Sequence, residues 1–111
     1  MNSPAGIRVR HGAHRLELSY EDGGSVTLPA EFLRVFPPQP PGSQPVLVAG
    51  KRRVSLLSAE PVGKYALRLR FSDGFDTGIY SWDCLAELGR EQNIRWRRYL
   101  RLLEEAGLSR G

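Results

Sequence analysis

The sequence predicts an α+β domain of two β-hairpin-plus-helix units, closed by a C-terminal amphipathic helix. Three observations carry that expectation. Two stretches alternate apolar and polar residues, which is the period of a half-buried strand: Leu16, Leu18, Tyr20 in one and Tyr65, Leu67, Leu69, Phe71 in the other. The pattern also recurs. Leu16, Leu18, Tyr20, Asp22 and Gly23 reappear as Leu67, Leu69, Phe71, Asp73 and Gly74, 51 positions later, each followed by a returning strand and a helix. Finally, Trp96, Tyr99, Leu100 and Leu103 stand at i, i+3, i+4 and i+7, one face of a helix. Two copies are too few for a solenoid, so the simplest arrangement packs the two units together.

The elements follow in order. Residues 1–6 read as a loose leader with Pro4 and Gly6, and the domain proper as 7–111. Residues 7–10 alternate and make a short strand. Residues 15–20 make a second, and Asp22, Gly23 and Gly24 turn the chain because Asp and Gly tolerate positive φ. Residues 25–28 return. Pro29 suits a helix start, and 30–36 form a short helix with Phe32, Leu33 and Phe36 inward. Prolines 37, 38, 40 and 41 end it in a stiff loop with polyproline character. Residues 46–48 read as a strand, 50–53 as a basic turn, 54–60 as a strand and 61–64 as a turn. The best strand is 65–71, turned at Asp73 and Gly74 and returning over 76–80. Ser81 is an N-cap with Asp83 in the first turn, Gly89 closes that helix as its C′ residue, and Asn93 starts the last helix, 94–106, ended by Gly107.

Composition narrows the function classes. The chain has 111 residues, 41% hydrophobic and 25% charged, the make-up of one globular domain. No apolar run reaches the roughly 18 residues of a membrane helix. The first residues lack the basic and apolar regions of a secretory signal. A single cysteine, Cys84, points to a reducing, cytoplasmic setting. Of the net charge of +4, the segment from Arg90 onward carries most, with six arginines against three glutamates. Such a field attracts nucleic acid or an acidic protein face, or else is simply a solvated helix surface.

Catalytic and metal chemistry find little support. His11 and His14 could share a metal, but a zinc site needs three or four ligands and no third lies nearby. Cys84 sits near a helix start, which lowers a thiol pKa, yet Leu85 and Leu88 mark a docked and buried helix. No phosphate-binding glycine loop and no nucleophile elbow is present. Asp73, Asp76 and Asp83 each have a simpler role at a turn, a strand edge and a helix start. Tyr80, Trp82, Trp96 and Tyr99, interleaved with arginines, could stack nucleobases, although aromatics at helical spacing usually fill a core. The last helix could pack internally or against a second copy.

Asp73-Gly74, Gly78-Ile79-Tyr80, and Trp82 followed by Leu85 form a specific pattern within residues 60–89. Residues 28–35, Gly50-Lys51, Trp96-Tyr99-Leu100 and the stretch from Gly107 to Arg110 add further blocks. With them the chain resembles the gamma-butyrobetaine hydroxylase-like N-terminal domain family, in particular its small bacterial members. In the hydroxylases that domain precedes an iron(II), 2-oxoglutarate-dependent oxygenase domain, whose two-histidine, one-carboxylate iron site nothing here supplies. The resemblance also implies a zinc held by cysteines and a histidine. Here the cysteine region is the proline-rich stretch and the histidine position is Phe75, so no metal and no cofactor is expected, with Phe75 filling the vacated space. The family domain also occurs fused to iron–sulfur carrier ATPases, which implies a docking role.

The expectation is therefore a non-catalytic interaction module with an unknown protein partner and no membrane association. Two surfaces are its candidates: the hairpin-to-helix corner at Asp73, Gly74, Tyr80 and Trp82, and the helix face of Arg95, Arg97, Arg98 and Arg101. The alternatives are nucleic-acid binding through the arginine helix, and a separate subunit serving an oxygenase or an iron–sulfur carrier.

Overall fold

A computed structural model describes residues 4–9, 12–39, 42, 46–76 and 78–111. Its elements are β1 (Gly6–Arg8), β2 (Arg15–Ser19), β3 (Ser25–Pro29), α1 (Ala30–Val35), β4 (Leu56–Val62), β5 (Ala66–Phe71), β6 (Gly78–Ser81) and α2 (Trp82–Glu105). They form two antiparallel three-stranded sheets, β1-β2-β3 and β4-β5-β6, each followed by a helix. The fold is α+β as expected, and the strand expected ahead of each hairpin pairs with it to complete a three-stranded sheet. The sheets meet where Gly12 N–H donates to Leu56 O at 2.8 Å and Leu56 N–H to Ala13 O at 2.7 Å.

The sequence repeat is a structural one. In the first hairpin Tyr20 N–H donates to Gly24 O, Gly23 N–H to Tyr20 O, and Gly24 N–H to Asp22 Oδ1. In the second, Phe71 N–H donates to Phe75 O, Gly74 N–H to Phe71 O, and Phe75 N–H to Asp73 Oδ1. The Asp carboxylate thus folds each turn in the same way, and Gly23 and Gly74 take the positive φ the turn needs (89° and 94°). The helix starts also match. Ala30 N–H donates to His14 O, and Trp82 N–H to Tyr65 O.

One core unites the halves. Leu16, Leu18 and Leu28 from the first sheet meet Leu56, Leu67, Leu69, Phe71 and Tyr80 from the second, beneath Phe32, Leu33, Leu85 and Leu88 of the helices. Leu67, Leu69 and Phe71 point inward as the alternation requires. Tyr65 lies outside the strand and is exposed, because the turn extends through it. A smaller cluster of Val35, Tyr99 and Leu103 continues the core along α2.

Several elements differ from expectation. The strand expected at 46–48 does not form; that segment is held instead by the Tyr99 hydroxyl donating to Val48 O at 2.6 Å. β4 runs on through Pro61 and Val62, where a turn was expected. Pro29 is the last residue of β3 and the N-cap of α1 rather than its first helical residue. Pro40 and Pro41 of the expected proline loop, and His11, lie outside the described residues.

The largest difference is α2. Gly89 does not end a helix and Asn93 does not start one; a single helix of 24 residues runs through both. Gly89 is not among the glycines with positive φ, whereas Gly107 is, at 70°. At Gly107 the chain closes as a C-terminal glycine motif should: Gly107 N–H donates to Glu104 O and Leu108 N–H to Leu103 O. The helix carries glycine at 89 for a tertiary reason. A Cβ there would lie 3.0 Å from Val26 Cγ1, so the missing side chain lets α2 seat on β3. The roughly 1 kcal/mol propensity cost of a mid-helix glycine is outweighed by that packing. Gly89→Leu is therefore expected to destabilise by about 1–3 kcal/mol through overpacking, and Gly89→Ala to give none of its usual helix gain. Urea denaturation of the two variants checks both.

Candidate functional site

Asp73 lies at the centre of the hairpin corner. Arg34 Nε of α1 and Lys51 Nζ both reach its Oδ2 at 2.7 Å, and Phe75 N–H donates to its Oδ1 at 3.1 Å. The Arg34 guanidinium also stacks over the Phe75 ring, 4.4 Å from its centroid, and that ring tilts against Phe71 at 5.9 Å. Asp73 thus ties the second hairpin to α1 and to the basic turn at 50–53. Partial burial raises its carboxyl pKa, but Lys51, the Phe75 N–H and Arg34 together outweigh this and hold it below the ordinary value. A lowered carboxyl stabilises the fold above its ordinary pKa and loses that contribution as pH falls through the folded value. The stability gap between the native chain and Asp73→Asn should therefore be full at neutral pH and close below about pH 4. Urea titrations at the two pH values read it.

The other residues expected at this corner are structural. Tyr80 is fully buried, and its hydroxyl donates to Leu33 O at 2.6 Å. Trp82 is 8% exposed, and its indole N–H donates to Lys64 O at 2.7 Å. Both rings face inward because β6 and the first turn of α2 sit on the core, so neither offers a contact surface. Gly74 serves the turn.

The corner is also where the resemblance would put the zinc histidine, and its chemistry does not suit a cation. Phe75 is half-buried against the core, with Arg34 over it and Lys51 beside Asp73. Among the described residues no three His, Cys, Asp or Glu side chains gather as a metal site. Phe75→His is expected to take up no stoichiometric zinc, since one imidazole beside two cations lacks the thiolates a structural site needs. Metal analysis after dialysis against zinc checks this. His14 Nδ1 lies 3.4 Å from Val54 O. Burial, with Glu87 adding to it against Arg95, pushes the Cys84 thiol pKa up, the reverse of an activated nucleophile.

The arginine face divides in two. Arg95 is internally paired: its Nε bonds Glu91 at 2.9 Å, its Nη2 reaches Glu87 at 3.3 Å, and its guanidinium lies over Phe36. Arg97, Arg98 and Arg101 are exposed, and among the described residues no carboxylate pairs with them. With Ile94 they border a shallow cleft of about 240 Å³. Trp96 and Tyr99 turn inward, onto Phe32 and Phe36.

A third constellation had no signal in the sequence. Glu31 is the one buried charged side chain among the described residues, and Arg110 meets it with two bonds, Nε to Oε2 at 2.9 Å and Nη2 to Oε1 at 2.7 Å. The same guanidinium covers the Trp96 ring at 5.1 Å. Backbone bonds from Gly50 N–H to Ser109 O and from Arg52 N–H to Arg110 O hold the tail in place. Glu31 and Arg110 are 79 positions apart, so no local pattern could join them.

Comparison with known proteins agrees with this geometry. The model of the family described as "Gamma-butyrobetaine hydroxylase-like, N-terminal" matches residues 7–86. No curated protein matches the chain. Two NMR solution structures are similar over 99% of it: one at 42% identity and TM-score 0.87, covering 90% of that chain, the other at 38% identity and TM-score 0.85, covering 86%. A crystal structure of a protein of unknown function of the DUF971 family, from Acidithiobacillus ferrooxidans ATCC 23270, is 38% identical with a TM-score of 0.66, over 78% of this chain and 92% of that one. The family model's match over residues 7–86 and the likeness in sequence and fold to these three structures have one conclusion: the chain belongs to the gamma-butyrobetaine hydroxylase-like N-terminal domain family.

Proposed function

We propose that the chain is a non-catalytic docking module of the cytoplasm that binds a protein partner through the outer face of α2. One observation carries this reading: Arg97, Arg98 and Arg101 stand exposed without carboxylate partners among the described residues, while Asp73, Glu31 and Arg95 are matched within the fold. Unpaired cations gathered on one face favour an acidic partner and a fast, salt-sensitive encounter. No helix among the described residues is long and apolar enough to cross a membrane.

Nucleic-acid binding uses the same arginines and is the second reading. It is the weaker one because a single-strand platform needs free aromatic faces, and Trp96 and Tyr99 are committed to Phe32, Phe36 and Arg110. A tagged pull-down from native cytosol, split into nuclease-treated and untreated halves, separates the two. A protein that survives nuclease supports docking, and an oxygenase or iron–sulfur carrier among the survivors would make the chain its accessory subunit. Recovery lost on nuclease treatment moves the assignment to nucleic acid.

A further inference from the structure

Beside the free arginines lies a groove of about 410 Å³ between α2, the end of α1 and the segment 46–48. Its floor is apolar: Val35, Phe36 and Tyr99. Leu47 on one wall is 36% exposed and Leu102 on the other 44%. Arg98 stands on the α2 wall one turn before Leu102, and it also borders the neighbouring cleft of Arg97 and Arg101. We propose that this groove docks an acidic amphipathic helix of a partner protein, a reading that rests on the docking role above.

Charge complementarity and the apolar floor together select that occupant. An apolar floor takes apolar side chains spaced one helical turn apart. The charged residues that line it are both cations: Arg95 is already matched by Glu87 and Glu91, so Arg98 is left for a carboxylate of the partner. A nucleic acid would find phosphate contacts but no free ring, since Tyr99 and Phe36 pack edge to face and the Tyr99 hydroxyl is held by Val48 O. A second copy is disfavoured, because two-fold pairing on this face would set the arginines of both copies against one another.

Display of random peptides of about 16 residues, long enough for four helical turns, tests the proposal against the whole chain. Enriched peptides should carry Asp and Glu opposite Leu or Phe at i, i+3 and i+4. Bound to the isotope-labelled chain, such a peptide should shift the amide signals of residues 46–48, Arg98, Tyr99 and Leu102. Leu102→Asp should weaken it at least about tenfold, with Ile79→Asp on the second sheet without effect. Neutral or basic enriched sequences, no enrichment, shifts elsewhere, or a groove closed by self-association in ultracentrifugation would each overturn the proposal, as would oligothymidylate shifting the same signals in place of the peptide. A nuclease-resistant partner retained by Leu102→Asp would sink the groove and leave the docking role standing.

Discussion

Arg110→Ala is expected to cost about 2–4 kcal/mol of folding stability, although it changes a residue next to the end of the chain. The size follows from what stays behind. Glu31 is 6% exposed, and without Arg110 its carboxylate is buried with no cation beside it. Breaking a buried pair from one side costs about 3–5 kcal/mol, and the partial exposure of Arg110 reduces that. The hydrogen bonds it donates to Glu31 raise the Arg110 guanidinium pKa further above its already high ordinary value, so the cation persists at every workable pH. Arg110→Lys should recover only part of the loss, because an ammonium cannot make the two-pronged bond or cover the Trp96 ring in the same way. The double variant Glu31→Leu, Arg110→Met should recover most of it. Removing both partners leaves no orphaned charge, and a buried pair is often no better than apolar packing of similar volume. Urea denaturation of the native chain and the three variants reads these differences. A single variant as stable as the native chain would show that the tail does not hold α1.

What the sequence could show was what repeats locally. Leu16, Leu18, Leu67 and Leu69 alternate with polar neighbours, and the two Asp-Gly turns mark where the strands reverse, so both hairpins were legible. Gly107 was legible too, because it ends an apolar stripe. Gly89 misled because a glycine after an apolar run looks the same whether it ends a helix or admits a neighbour. Only Val26, 63 positions earlier, decides which. Residues 46–48 look like a strand because they are apolar, but their partner is a tyrosine hydroxyl rather than a second strand.

The candidate site was legible in the same uneven way. Arg97, Arg98 and Arg101 could be placed on an exposed helix face from their spacing alone. Asp73 could be read as a turn residue. Its two cations, Arg34 and Lys51, come from 39 and 22 positions away, so its second role as a tie between elements left no mark in the local pattern. Tyr80 and Trp82 stand in the most recognisable block of the sequence, which reads as a contact surface. Burial explains that block equally well, since both rings carry a polar atom that finds a backbone carbonyl inside the fold.

Tyr80→Ala is expected to destabilise by about 3–5 kcal/mol, as removal of a fully buried ring does. The more informative variant is Tyr80→Phe. It keeps the ring against Leu67 of β5 and removes only the hydroxyl bonded to Leu33 O. That carbonyl belongs to the last turn of α1, whose final C=O groups have no partner within the helix. A side chain from β6 therefore caps a helix in the other half of the molecule, and its loss should cost about 1–2 kcal/mol. The hydroxyl also links stability to alkali. Burial, with smaller contributions from Cys84 and Asp73 against Arg34, pushes the phenol pKa well above its ordinary value. A raised phenol contributes stability that is whole below the ordinary tyrosine value and is lost as pH rises beyond it, because the unfolded chain ionises first. The native chain should thus lose stability above about pH 10 more steeply than Tyr80→Phe does. Parallel stability profiles for the two proteins across that range would show curves that converge in alkali. Curves that stay a constant distance apart would mean that the hydroxyl is not held between the two halves.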